Sequence, residues 1–196
     1  MASRSVQITS TEDPNDPMSP QLIAGIEHFS EHLIMKGDIH ALIHEGRFFS
    51  VGVAVENVAN NGAVELLVQT PAGAPLHVRF AGSTGGNATN AFYEGTTFSA
   101  AGTAVTPVNR NRRSPNAARG TFTSGPTITD DGTPIFLGYT GGGAGGSASG
   151  TASTSFEEYI LAASTTYLAR ITNTAGNNQP VTLIMDFYDT GLTPYA

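Results

Sequence analysis

The pattern of hydrophobic and polar positions changes character near residue 47. Beyond this point, short runs of β-branched and aromatic residues alternate with Gly, Pro, Asn and Asp, a pattern typical of strands separated by turns. Six runs are predicted as strands: RFFSVGVAVE, AVELLVQT, LHVRFA, TPIFLGY, TYLARITN and VTLIMDFY. Asn60-Asn61-Gly62 is a turn signal, and the last two runs are predicted to form a hairpin. Residues 47–196 are therefore predicted to form an all-β domain, an antiparallel β-sandwich or jelly roll.

Residues 1–46 follow a different pattern and are predicted to form an acidic N-terminal arm. The stretch TEDPNDPMSP holds three prolines and three acidic residues, which disfavour both helix and central strand. Ser19-Pro20 resembles a helix start. Apolar residues then recur at roughly helical spacing, and we expect an amphipathic helix over residues 20–36. These apolar positions are Leu22, Ile23, Ile26, Phe29, Leu33 and Ile34.

The composition supports a β protein with many turns. Charged residues make up 13% of the chain, well below the roughly 25% of an average globular domain, and glycine contributes 23 residues. The absence of cysteine excludes disulfides and thiolate metal sites. No apolar run approaches the roughly 20 residues of a membrane span, so we expect no membrane association.

Charge is segregated along the chain. Residues 95–129 contain no acidic residue but four arginines, Arg110, Arg112, Arg113 and Arg119, whereas the whole chain has a net charge of −7. Three roles are possible for these arginines: docking on an acidic protein surface, internal ion pairs with the acidic arm, or nucleic-acid binding. Docking is favoured because the guanidinium group can pair with carboxylates bidentately. Nucleic acid is disfavoured because the segment lacks interleaved aromatic residues and the protein is acidic.

Four histidines form the only candidate metal site in the sequence. His28 and His32, like His40 and His44, are four residues apart, a spacing at which two imidazoles on a helix can share a zinc ion. Glu45 follows the second pair instead of lying within it, so the HExxH pattern is absent. Since spacing alone does not establish convergent geometry, we expect histidines with structural roles and no metal or other cofactor.

Other catalytic patterns are weak, and the chain is predicted not to be an enzyme. The acid pairs Glu157-Glu158, Asp130-Asp131 and Asp186/Asp189 are expected at solvated edges and loops, and no GxSxG elbow occurs. The glycine-rich stretch GYTGGGAGGSASG, residues 138–150, lacks the lysine and the following helix of a phosphate-binding loop. We expect an exposed loop there.

A series of short phrases resembles a group of tailed-bacteriophage virion proteins that decorate or cement capsids. The phrases are IHEGRFF at residues 43–49, VQTP at 68–71, LHV at 76–78, FYEGTT at 92–97, NRNR at 109–112, EEYILAASTTYLARITN at 157–173 and DFYD at 186–189. They span nearly all of the predicted β domain, whereas the first 40 residues contribute little.

The resemblance implies a non-enzymatic β-sandwich or jelly-roll protein. It also implies that the protein is a homotrimer that binds the major capsid protein on the outer surface of the head. The protein would be synthesised in the cytoplasm of the bacterial host. The alternative is a receptor- or glycan-binding module of a virion fibre, which would need aromatic platforms. The chain has no tryptophan, and Tyr139 is the one obvious tyrosine beside the glycine-rich stretch. A metal-dependent enzyme using the histidines is a third, weaker hypothesis.

Overall fold

A computed structural model describes residues 26–29, 32–35, 38–73, 75–141, 150–153 and 158–192. The chain forms two compact units, Met1–Ala41 and Leu42–Ala196. None of the helices in these described ranges is both long and apolar enough to cross a membrane. The predicted division after residue 46 stays a prediction, and the extended leader predicted over residues 1–20 lies outside the described residues.

The helix predicted over residues 20–36 is wrong for the residues that the structure describes there. Strands β1 (Ile26–Phe29) and β2 (His32–Met35) pair antiparallel in that stretch. The helix of this region, α1, comes later, at Asp38–His44. Periodicity cannot separate helix from strand in short apolar runs, and the β-branched and aromatic residues of IEHF and HLIM favour strands.

Helix α1 is followed by a glycine in the left-handed backbone conformation, which favours glycine over other residues. Gly46 has φ of 64°, and its N–H donates to the carbonyl of Ile43 while the N–H of Arg47 donates to the carbonyl of Leu42. These two bonds are the Schellman pattern, which satisfies the last carbonyls of a helix. The turn delivers the chain into the first strand of the β domain.

The β domain contains fourteen strands among the described residues. They are β3 (Phe48–Val58), β4 (Ala63–Gln69), β5 (Leu76–Thr84), β6 (Ala88–Glu94), β7 (Thr97–Ala100), β8 (Thr103–Ala104), β9 (Val108–Asn109), β10 (Thr121–Ser124), β11 (Thr127–Asp130), β12 (Thr133–Thr140), β13 (Gly150–Ser153), β14 (Tyr159–Leu161), β15 (Thr166–Asn173) and β16 (Gln179–Asp189). All six strands predicted from the sequence are present, as β3, β4, β5, β12, β15 and β16.

Twelve of these strands form two antiparallel sheets with jelly-roll topology, and β7 and β11 form a separate pair. Sheet 1 has the order β12-β6-β15-β4-β10-β8, and sheet 2 has the order β5-β16-β3-β9, with β13 and β14 both paired to the outer edge of β5. Without β13 and the strands between β6 and β12 in the sequence, the orders are β12-β6-β15-β4 and β14-β5-β16-β3. Two four-stranded sheets connected in this order are a jelly roll, so the predicted all-β sandwich is confirmed.

The core lies between the facing sides of the two sheets. On β16, residues alternate between buried and more exposed positions, and the buried ones, such as Leu183, Met185 and Phe187, belong to the core cluster. Phe187 stacks on Phe49 of the same sheet and on Phe122 of sheet 1, at ring distances of 5.4 and 4.8 Å. Alternation places the remaining residues of each strand on the outer face of its sheet.

The predicted hairpin between the last two strands is wrong. β15 pairs with β4 and β6 in sheet 1, whereas β16 pairs with β3 and β5 in sheet 2. The connection over residues 174–178 therefore crosses from one sheet to the other, as jelly-roll connections do. The sequence could not distinguish a hairpin within one sheet from a connection between two sheets, because both connections are short and use the same turn residues.

The acid-free stretch lies in the long insertion between β6 and β12. This insertion contributes β8 and β10 to sheet 1, β9 to sheet 2, and the separate pair β7–β11. Asp131, just after β11, accepts hydrogen bonds of 2.6 and 2.7 Å from Arg170 on the outer face of sheet 1. Leu67 and Leu168 also lie on this outer face and are fully buried, so the face is covered at β4 and β15.

Candidate functional site

The arginine-rich loop, residues 110–119, connects β9 to β10 and is held by asparagine side chains. The buried amide of Asn109 donates to the carbonyls of Gly46 and Asn116 at 2.9 and 3.1 Å, and its oxygen accepts the N–H of Asn111. The Asn111 amide donates to the carbonyl of His44 at 2.9 Å. These bonds fasten the loop to the turn after α1, so it has a defined shape without a partner.

Arg110 is paired within the chain. Its Nη2 donates to both carboxylate oxygens of Asp186 on β16, at 3.0 and 2.9 Å, and its Nε donates to the hydroxyl of Ser50 on β3 at 2.7 Å. The guanidinium carbon lies 5.7 Å from the ring centre of Phe48, within range of a cation–π contact. Arg110 therefore lies on the outer face of sheet 2.

Arg119 is bound to a buried carboxylate. Its Nε donates to Oδ2 of Asp189 at 2.7 Å and its Nη2 donates to Oδ1, while the Gly191 N–H donates to Oδ1 at 3.0 Å. Asp189 has no solvent exposure. The hydrogen bond that Arg119 donates to Asp189 raises the pKa of Arg119 above its usual value, and the charge of Asp189 adds to this although burial opposes it. The pair closes the far end of the loop against β16.

Arg112 and Arg113 differ from the other two arginines. Both side chains are exposed, and Arg112 makes one long hydrogen bond, 3.5 Å, to the carbonyl of Asn109. The Arg113 guanidinium has no hydrogen bond or ion pair within the described part of the chain. Two positive charges thus extend from a loop whose ends are fixed by Arg110 and Arg119.

The structure divides the four candidate arginines into two groups. Arg110 and Arg119 form ion pairs within the chain, but the partners that the structure shows are acids of β16, whereas the sequence had suggested the acidic N-terminal arm. Docking on a partner stays a prediction for all four, and Arg112 and Arg113 are the best placed for it. The expectation that Asp186 and Asp189 lie at solvated edges is wrong for Asp189, which is buried under Arg119.

The candidate metal residues do not form a metal site in the described structure. His28 and His32 lie on paired strands, opposite Leu33 and Phe29, so the helical spacing behind that pair is absent, and their side chains lie outside the description. His40 and His44 lie on α1 and are exposed. Nowhere in the described ranges do three histidine or acidic side chains come together to hold a metal ion.

A polar cluster on the outer face of sheet 2 was not predicted from the sequence. The Tyr188 hydroxyl donates to Oε1 of Glu158 at 2.7 Å, and Nδ1 of His77 lies 2.8 Å from the same oxygen. Arg79 donates to Oε2 at 3.2 Å. Burial alone would raise the pKa of Glu158, but the hydrogen bonds from Tyr188 and His77 and the charges of His77 and Arg79 lower it below its usual value.

This cluster and the Arg110 pair together form one row of alternating charge. Asp186 lies directly opposite Ser50 on β3 and opposite Arg79 on β5, and Glu158 precedes β14 beside Arg79. Across sheet 2 the order is therefore Glu158, Arg79, Asp186, Arg110, with signs minus, plus, minus, plus. No sequence signal predicts it, because the four residues come from four separate segments.

Comparison with protein families, with curated proteins and with solved structures finds no match to this chain.

Proposed function

We propose that this protein is a non-enzymatic virion structural protein that decorates a phage head by binding the major capsid protein on its outer surface. The sequence phrases at residues 43–189 motivate the class of protein, and the jelly-roll sandwich is compatible with it. One observation supports the docking role most directly: Arg112 and Arg113 are exposed on a loop that internal bonds hold in shape.

A loop of this kind suits recognition of acidic groups. Since Arg110 and Arg119 are already paired, the loop loses little conformational freedom when Arg112 and Arg113 engage carboxylates. The planar guanidinium groups can then pair bidentately with the partner. The proposed partner surface is therefore acidic, and we expect binding to weaken as salt concentration rises.

The test is binding of purified protein to capsids of the phage whose genome encodes it. We expect the double variant Arg112→Gln/Arg113→Gln to bind at least tenfold more weakly than the wild type, because two charge-assisted contacts are lost. A capsid that fails to bind the wild-type protein would contradict the proposed function. Unchanged binding of the variant would contradict the role of the two arginines.

A matched control variant changes the net charge by the same amount as Arg112→Gln/Arg113→Gln, but at the other end of the sandwich. Thr174→Glu/Asn178→Glu alters two exposed residues in the connection before β16. The arginine-rich loop lies at the opposite end of this eleven-residue strand, where Arg119 bonds Asp189. The two sites are separated by roughly 35 Å along the strand. We expect the control to bind like the wild type.

The homotrimer implied by the resemblance is a separate expectation, tested by light scattering of the purified protein.

A glycan-binding module of a virion fibre is the second candidate, and one observation favours it. Tyr139 lies on edge strand β12 and is 85% exposed, which gives a sugar an accessible aromatic ring. A glycan array on which binding disappears with Tyr139→Ala would support this function over capsid decoration.

A further inference from the structure

The outer face of sheet 2 carries exposed apolar side chains that no described part of the chain covers. The outer face of sheet 1 is covered at β4 and β15, where Leu67 and Leu168 are fully buried, and exposed at edge strand β12, where Leu137 and Tyr139 are 65% and 85% exposed. On sheet 2, by contrast, Ile184 on β16 is 44% exposed and Val108 on β9 is 49% exposed. Ile160, opposite His77 on the same face, is 66% exposed.

The middle of this face is flat. Ile184 lies between Gly52 of β3 and Ala81 of β5 in the strand register, and the next outward positions are Ala54, Thr182 and Ser83. Small side chains allow another flat surface to approach closely. Isolated apolar residues on a surface are ordinary, and the charged residues Arg79 and Asp186 separate Ile184 from Ile160 in the strand register. The feature that suits a protein partner is therefore the flat centre around Ile184 together with the charges beside it.

The charges beside this surface identify the partner. The row Glu158, Arg79, Asp186, Arg110 reads minus, plus, minus, plus. Turning a second copy about a two-fold axis parallel to the strands reverses the row and faces it toward the first. Arg110 of one copy then lies opposite Glu158 of the other, and Asp186 opposite Arg79. The row is therefore complementary to itself, the condition for an isologous contact.

The size of the face is adequate for such a contact. Strands β3, β5 and β16 are 11, 9 and 11 residues long, and shorter strands flank them on both sides. Strand spacing and rise give a face of roughly 600 Å² per copy, or about 1,200 Å² buried in total. This value lies at the lower end of the range for specific, stable protein interfaces.

We propose that the outer face of sheet 2 is an isologous interface between two copies of this chain, centred on Ile184 and aligned by the row of alternating charge. The inference is independent of the proposed function, because Arg112 and Arg113 lie outside the row. A contact of this kind gives an even number of copies: a dimer, or a hexamer where the three-fold contact of a decoration trimer is also made.

Light scattering and sedimentation of the wild-type protein give the first test. We expect a dimer or hexamer, with the two-fold contact weakening as salt concentration rises because the row is solvent-accessible at its rim. A monomer at all concentrations, or an isolated trimer, would overturn the proposal. Ile184→Arg, a change at a 44%-exposed position that leaves every charge pair intact, should weaken the contact at least tenfold.

Two reciprocal variants test the charge pattern itself. Arg79→Glu/Glu158→Arg keeps the pair within the chain but changes the row to plus, minus, minus, plus. Arg110→Glu/Asp186→Arg changes it to minus, plus, plus, minus. Each variant places like charges opposite each other in its own dimer, so we expect neither to form the two-fold contact.

The two variants are complementary to each other, so their equimolar mixture should restore the contact as a heterodimer. Circular dichroism of each variant confirms that it is folded. Since Arg112 and Arg113 are unchanged, failure of this rescue in folded variants leaves the proposed function unaffected. Folded variants that dimerise alone as the wild type does, or a mixture that stays dissociated, would overturn the interface.

Discussion

At the scale of the residue, four arginines that look equivalent in the sequence have different roles in the structure. Arg110 and Arg119 pair with Asp186 and Asp189, which are 76 and 70 residues away along the chain. Arg112, only two residues from Arg110, extends into solvent. The sequence correctly indicated that the segment is electropositive. It could not show which charges are neutralised, because the partners come from β16.

The Arg119–Asp189 pair yields the first prediction. Replacing Asp189 with Asn should lower the free energy of unfolding by about 2 kcal/mol, because a buried carboxylate loses charge-assisted bonds from Arg119. Asp186→Asn, at a pair in which both side chains are partly exposed, should cost about 1 kcal/mol or less. Urea unfolding measures both. Equal losses in the two variants would contradict the distinction.

At the scale of the element, strand existence was easier to predict than strand partnership. The long β3 and β16 carry dense β-branched and aromatic residues, and the sequence identified both. The short β7 to β11 were missed, because strands of two to four residues depend on their neighbours more than on propensity. The helix predicted over residues 20–36 failed because IEHF and HLIM are too short for periodicity to separate helix from strand.

Close packing between the two sheets gives the second prediction, at Gly82 of β5. A Cβ there would overlap Cδ1 of Ile171, which is 1% exposed on sheet 1 and has little room to move. Gly82→Ala should therefore lower the free energy of unfolding by about 1–2 kcal/mol, despite the better strand propensity of alanine. Urea unfolding of the purified variant measures this loss.

A double-mutant cycle identifies the cause of this loss. Ile171→Val removes Cδ1 and by itself costs about 1 kcal/mol. In the combined variant the two costs should be less than additive, because valine leaves room for the new methyl group. Strict additivity would show that the contact between Gly82 and Ile171 is not the cause.

At the scale of the whole molecule, the two outer faces of the sandwich differ. The insertion between β6 and β12 contacts the outer face of sheet 1, where its Asp131 accepts a hydrogen bond from Arg170. On the outer face of sheet 2, Ile184 and Val108 are exposed beside the charge row. Because Leu137 and Tyr139 on edge strand β12 of sheet 1 are exposed as well, the difference lies at the centres of the two faces, and together with the charge row it supports the proposed contact at sheet 2.

The third prediction concerns the independence of the β domain. Every core residue among the described positions lies between Phe49 and Leu192. A chain that begins at Asp38 and keeps α1 should therefore unfold cooperatively, with a Tm within about 5 °C of the full-length protein. Thermal circular dichroism of both proteins measures this. A broad or absent transition in the shortened chain would show that the first 37 residues are needed for the fold.

The sequence alone determined the fold class, because alternating apolar positions and turn residues are local signals that each strand carries by itself. It also determined that residues 95–129 are basic within an acidic chain. Tertiary structure decided everything that depends on residues meeting across the chain. It placed β15 and β16 in different sheets, buried Asp189 under Arg119, and aligned Glu158, Arg79, Asp186 and Arg110 in one row. Such meetings arise from strand register over distances of tens of residues, which no local pattern encodes.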